Sequence, residues 1–125
     1  MSFSADFEIS VISRYLPNQS RPAHNHWVFV YQVSITNTGE RPAQLLSRHW
    51  IITDGMGSVE HVRGDGVVGE QPIIQPGETY QYVSGCPLPT PIGSMSGSYK
   101  MKYDTGEEVD AEIKPFLLAQ PDEFN

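Results

Sequence analysis

Apolar residues alternate with polar ones over short runs along the whole chain, and nowhere do they keep a helical period over a dozen residues. In the clearest run, residues 26–38, large apolar side chains occupy alternate positions: Trp27, Phe29, Tyr31, Val33 and Ile35. Alternation places successive side chains on opposite faces of an extended chain. Each such run therefore predicts a β-strand with one buried face.

Glycine and proline separate the runs. The chain contains 11 Gly and 10 Pro, and these residues favour tight turns between strands. Strands are predicted over residues 7–16, 26–38, 43–54, 58–63, 78–86, 93–103 and 108–114. Residues 70–74 are predicted to be extended and residues 87–91 to form a rigid connection, and Pro115 is expected to end the last strand. Seven to eight strands at this spacing predict an all-β, two-sheet antiparallel sandwich of the immunoglobulin or fibronectin type III kind.

The run at residues 43–54 does not identify its buried face. Both alternating sets mix apolar and polar side chains: Leu45, Ser47, His49, Ile51 and Leu46, Arg48, Trp50, Ile52. A buried polar group needs a hydrogen-bond partner. Two interpretations stay open, a structural one in which Arg48 stacks on an aromatic ring or His49 bonds a carbonyl, and a recognition patch.

Size and charge limit the class of partner. The length of 125 residues suits a single domain over residues 1–125, with residues 1–6 and 120–125 as flexible ends. Eight basic against 15 acidic residues give a net charge of −7. Such a field argues against general binding to nucleic acids or anionic membranes. The oligomeric state is predicted to be a monomer or a weak homodimer, because an exposed edge strand can pair with itself.

The single cysteine, Cys86, cannot form an internal disulfide. The first ten residues carry acids and hydroxyls where a signal peptide would have a basic and then an apolar run. A cytoplasmic protein is therefore expected.

Four segments carry a family resemblance: LLSRHWIITD at residues 45–54, RGDGVVGEQP at 63–72, PGETYQYVSGC at 76–86 and TPIGSMSGSY at 90–99. Over nearly its whole length the chain resembles the ApaG protein family. The resemblance implies a fibronectin III-like sandwich and a link to cobalt tolerance and magnesium efflux. It also implies a gene neighbourhood shared with diadenosine tetraphosphate hydrolase, and a binding role like that inferred for related domains of F-box and polymerase-interacting proteins. The family has no established catalytic residues to carry over.

Gly64, Gly66 and Gly69 form a G-x-G-x-x-G array. In a dinucleotide-binding fold this array needs a following helix, whose N-terminus meets the pyrophosphate. Pro72 and Pro76 follow too closely for such a helix. The array instead predicts a bulged or sharply bent connection that needs positive φ. The alternative is an anion site made by loop N–H groups with Arg63 nearby.

We hypothesise that the third strand and the glycine loop together form a binding surface. Its residues are Arg48, His49, Trp50, Arg63, Gly64, Gly66, Gly69 and Glu70. The function predicted from this surface is a non-enzymatic binding or adaptor module for an unknown protein partner. The alternative is a sensor that holds a phosphorylated nucleotide or pyrophosphate at residues 64–69.

No catalytic residue, metal site or cofactor is predicted. Ser84-Gly85-Cys86 is the only suggestive nucleophile cluster, and a buried, inert thiol is the better interpretation. His24 and His26 could share one side, and a hairpin would place His49 near His61. Neither pair has the spacing of a known zinc site. If a divalent ion binds, the acidic segments EEVDAE at residues 107–112 and DEF at residues 122–124 could hold it weakly through oxygens.

Overall fold

The computed structural model describes residues 2–121. Its eight strands are β1 (Phe7–Tyr15), β2 (Trp27–Asn37), β3 (Ala43–Asp54), β4 (Val59–Asp65), β5 (Ile73–Ile74), β6 (Thr79–Leu88), β7 (Ile92–Tyr103) and β8 (Glu108–Ala119). Every pairing is antiparallel, with one sheet in the order β1-β2-β6 and a larger sheet in the order β4-β3-β7-β8, where β5 also pairs with β3. The predicted two-sheet sandwich is confirmed.

Two three-residue 3-10 turns, Pro17–Gln19 and Pro22–His24, lie between β1 and β2. None of the described helices is long and apolar enough to span a membrane. The flexible ends expected from the sequence include residues 1 and 122–125, which lie outside the described residues.

The core forms where the alternating apolar faces of the two sheets meet. In β2 the predicted face is inward, and Phe29, Val33 and Ile35 are almost wholly buried. Opposite them the larger sheet contributes residues such as Tyr99 and Met101, which are also fully buried. The alternation of apolar and polar residues in the sequence of β2 therefore predicts correctly which of its side chains pack in the core.

A β-bulge in β3 explains why this strand did not reveal its buried face. Leu45 pairs with Met101, but Ser47 pairs with Lys100, so Leu46 is an extra residue in the ladder. The extra residue reverses the alternation of every later side chain. Leu45 and Trp50 are consequently both buried, although they belong to opposite alternating sets.

Two prolines lie inside strands, contrary to the sequence-based expectation. The prediction that the last strand ends at Pro115 is wrong, because β8 continues to Ala119. Lys114 and Pro115 together lie opposite the single residue Ser96, so a second bulge accommodates the missing proline N–H. Pro87 likewise lies within β6, an edge strand where an N–H can be dispensed with.

Candidate functional site

Alternation along β3 places the predicted binding residues on two faces of the larger sheet, and the bulge at Leu46 determines which of them point inward. Arg48 and Trp50 point toward the other sheet, and Trp50 is only 3% exposed. His49 and Arg63, which are direct cross-strand partners, point outward. Gly64 lies within β4 opposite Arg48, while Gly66, Gly69 and Glu70 form the turn that follows β4. This turn connects the inward-facing residues, Arg48 and Trp50, with the outward-facing residues, His49 and Arg63.

The glycine array builds a tight turn. The Val67 N–H donates to the Glu70 carbonyl at 2.8 Å, and the Glu70 N–H donates back at 2.9 Å. Val68 and Gly69, at the centre, both have positive φ, at 48° and 80°, the pattern of a type I′ turn. The chain continues into β5, with no helix after the turn. The predicted bent connection is confirmed, and a dinucleotide-binding βαβ unit is excluded.

The polar groups of the turn are bonded within the protein. Arg48 Nη1 donates to the carbonyls of Asp65 and Gly66 at 3.0 and 2.9 Å. The Leu46 carbonyl, at the bulge, accepts the Gly66 N–H and the Gln71 side-chain amide, each at 2.8 Å. The amides of Gly66, Val67 and Glu70 therefore already have protein acceptors, which leaves little of the loop backbone free to cradle an anion.

The outer face of the larger sheet carries a groove of about 820 Å³. The groove crosses four strands, and one cross-strand row runs from Arg63 through His49 and Ser98 to Glu112. Its floor is made of small residues: Ser47, Ser96, Gly97 and Ser98. Because these side chains are short, they leave open space above the sheet between the charged residues on β4 and β8. We call this feature the outer groove.

Charges at the two ends of the row have no ionic partner among residues 2–121. Within these residues the one ion pair joins Lys100 Nζ to Asp110 Oδ1 at 2.9 Å, on the β7–β8 side of the groove. Arg63 and Glu112 are exposed. The outer groove thus presents a cation at β4 and an anion at β8, both available to a partner.

A histidine pair stands beside Arg63. His49 Nε2 and His61 Nδ1 are 2.9 Å apart, and the two rings stack with centroids 5.1 Å apart, so the hairpin brings the two residues together as predicted. Burial, then the charges of Arg63 and His61, lower the pKa of His49. In this bond one of the two facing nitrogens, His49 Nε2 or His61 Nδ1, donates its hydrogen and the other accepts it. If both facing nitrogens carried a proton, neither could accept, and the bond would break.

This pair predicts a pH effect on stability. The pKa of His49 in the folded chain lies below its ordinary value of 6.5. As the pH falls through 6.5, the unfolded chain therefore binds more protons than the folded chain does, and this favours unfolding. The contribution of neutral His49 to the stability of the fold is complete above pH 6.5 and is lost at lower pH. We expect His49→Gln to reduce the loss of stability between pH 7.5 and pH 5 by less than about 1 kcal/mol, since water screens the pair. Urea unfolding at both pH values measures this, and equal pH dependence in His49→Gln and a His24→Gln control would contradict it.

Cys86 is buried, and burial, reinforced by the charge of Glu60, raises the pKa of its thiol to about 11. A thiol of this kind is mostly protonated at neutral pH and is a poor nucleophile. Within residues 2–121, no three His, Cys, Asp or Glu side chains are grouped closely enough to hold a metal ion. Of the acidic segments considered as weak ligands, residues 108–112 lie in β8, with Glu107 just before it, and residues 122–124 lie outside the described part of the chain.

Together these features define a two-sheet antiparallel β-sandwich domain with a polar groove on its larger sheet. The family model described as the ApaG domain matches residues 17–103, and the chain belongs to the ApaG family. Protein ApaG of Bordetella pertussis is 56% identical over 116 residues, which cover 93% of this chain and 88% of that protein. Protein ApaG of Aromatoleum aromaticum is 54% identical over 114 residues, which cover 91% of this chain and 90% of the relative.

Solved structures agree with this assignment. A crystal structure of a Bordetella pertussis protein superposes with a TM-score of 0.90 at 56% identity, covering 93% of this chain and 94% of that one. An X-ray structure of a second protein gives a TM-score of 0.89 at 46% identity, with coverage of 93% and 88%. The resemblance seen in the four sequence segments is therefore confirmed.

Proposed function

We propose that this ApaG-family domain is a non-enzymatic binding or adaptor module that contacts another protein through the outer groove. The observation that carries the proposal is the row from Arg63 to Glu112, whose terminal charges of opposite sign have no ion pair among residues 2–121. Neighbouring strands are about 4.8 Å apart, so three strand spacings separate the two ends by roughly 14 Å. A protein segment with a base and an acid at this separation would complement both charges.

The adjoining edge of the sheet supports a protein partner. Among residues 2–121, strand β4 pairs only with β3, which leaves one side of its backbone able to add a strand from another chain. Most side chains of β4 are exposed. A partner that lies in the outer groove could extend over this edge and gain main-chain hydrogen bonds as well as charge contacts.

The raised pKa of the Cys86 thiol supports the non-catalytic part of the proposal. We further propose that the module acts in the cytoplasm. Any effect on cobalt tolerance or magnesium efflux, as implied by the family resemblance, would then act through the bound partner.

A double charge reversal tests the groove. Arg63→Glu together with Glu112→Lys keeps the net charge and inverts both ends of the row, so we expect at least about tenfold weaker partner binding. The matched control is Arg14→Glu with Glu8→Lys, which inverts two exposed charges on the outer face of the smaller sheet. Affinity purification with quantitative mass spectrometry identifies partners, and titration calorimetry with a purified partner measures the change.

Thermal unfolding first confirms that both double variants are folded. Loss of the same partners in both variants, or in neither, would contradict a role for the outer groove.

A further inference from the structure

The guanidinium of Arg48 is a half-buried cation on the inner side of the larger sheet. No carboxylate pairs with it among residues 2–121, and Nη1 alone donates to the turn carbonyls of Asp65 and Gly66. Gly64 makes room for the group, because a Cβ there would lie 2.8–2.9 Å from the guanidinium atoms. The fold thus places the positive charge of Arg48 between the two sheets, near their edge. Within the described part of the chain, some N–H groups of its guanidinium have no protein acceptor there.

A cavity of about 220 Å³ lies between Arg48 and strand β6, under the glycine turn. It is lined by Tyr31, Arg48, Trp50, Val67, Val68, Tyr82 and Ser84. The charge of Arg48 acts on the phenols of Tyr31 and Tyr82, where it opposes the effect of burial on their pKa. Val68 is 65% exposed at the rim of the cavity, so a solute can enter beside the turn.

We propose that this cavity is a binding site for a small oxyanion, held by the Arg48 guanidinium with the Ser84 hydroxyl as a second donor. An arginine fork matches the geometry of carboxylate and phosphate oxygens, and such bonds strengthen away from bulk water. The volume is below the roughly 300–1,000 Å³ of pockets that enclose drug-sized ligands. The cavity is therefore too small to enclose a nucleotide, and its volume suits an ion of the size of phosphate or acetate.

This inference is independent of the protein-binding proposal, because Arg63 and Glu112 line the outer groove and do not line the small cavity. Charge reversal at Arg63 and Glu112 leaves the cavity lining unchanged. Failure of one proposal is therefore distinguishable from failure of the other.

Amide NMR titrations with inorganic phosphate and, separately, sodium acetate test the site, at constant ionic strength set with chloride. We expect saturable shifts at the amides of Val67, Val68 and Ser84 and at the Trp50 indole N–H. Whichever ion saturates at the lower concentration identifies the preferred oxyanion. Arg48→Gln should weaken binding at least about tenfold, since it removes a charge-assisted bond. Arg14→Gln, which removes an exposed arginine from the outer face of the smaller sheet, should leave binding unchanged.

Ser84→Met is the second variant, because it fills the cavity without altering Arg48 or its bonds to the turn. We expect it to abolish the shifts while the remaining spectrum stays that of the folded protein. If Arg48→Gln does not fold, the Ser84→Met variant still tests whether the cavity binds the ion. The absence of saturable shifts with either ion in the unsubstituted protein overturns the proposal. So does binding that survives Ser84→Met.

Discussion

Alanine in place of Trp50 is expected to lower the free energy of unfolding by roughly 3–5 kcal/mol, the usual cost of removing a large buried aromatic side chain. The indole lies at the centre of an aromatic cluster. Its ring centroid is 5.4 Å from that of Tyr31, 6.2 Å from Tyr99 and 5.9 Å from Phe116, all in edge-on geometry. The substitution removes contacts between both sheets and leaves a cavity at the level of Arg48.

Trp27→Ala is the matched control. Trp27 is only half-buried and donates its indole N–H to Gln120 Oε1 at 3.1 Å, so its loss should cost roughly 1–2 kcal/mol. Guanidinium unfolding of both variants measures the difference. Similar losses for the two tryptophans would show that the cluster around Trp50 is not a centre of stability.

Gly66→Ala is expected to destabilise the domain by about 3 kcal/mol or more. Gly66 has φ of 63°, and a Cβ would lie 2.3 Å from the backbone carbonyl oxygen of Glu70. A backbone atom within a closed turn cannot move aside without breaking the Val67–Glu70 hydrogen bonds. The change therefore combines left-handed backbone strain with a steric clash.

Gly69→Ala separates these two effects. Gly69 also has positive φ, at 80°, but nothing lies within 4 Å of its Cβ position, so we expect a loss of only about 1–2 kcal/mol from backbone strain. Urea unfolding measures both variants. A larger loss at Gly69 than at Gly66 would contradict the view that the array is held by close packing at Gly66.

The strand pattern could be predicted where the ladder is regular. In β2 the alternation in the sequence and the burial in the fold agree from Phe29 to Ile35, because neither strand partner interrupts the register. In β3 and β8 the same rule fails at Leu46 and Pro115, since one extra residue reverses the alternation. A bulge depends on the partner strand, and one strand's sequence does not specify it.

The site was predictable only within a hairpin. The β3–β4 hairpin is local, so the proximity of His49 and His61 followed from the sequence. Ser98 and Glu112 could not be assigned to the same groove, because that requires knowing that β7 lies between β3 and β8. The alternating small residues at 94–98 were a usable signal, since a strand face without large side chains leaves space above the sheet.

The extra residue in β3 also governs where this domain can change in length. Deleting one residue between Leu45 and Trp50 would remove the bulge and leave both side chains facing inward, whereas inserting one would exchange the two faces beyond it, turning His49 inward and the Trp50 indole toward water. The β3–β4 hairpin tip has no such constraint, because Gly57 has no atom within 4 Å of its Cβ position and Met56 is 84% exposed. Inserted tags, reporter segments or chimaera junctions therefore belong at the tip, and alignments of relatives should place insertions there and not within the strand.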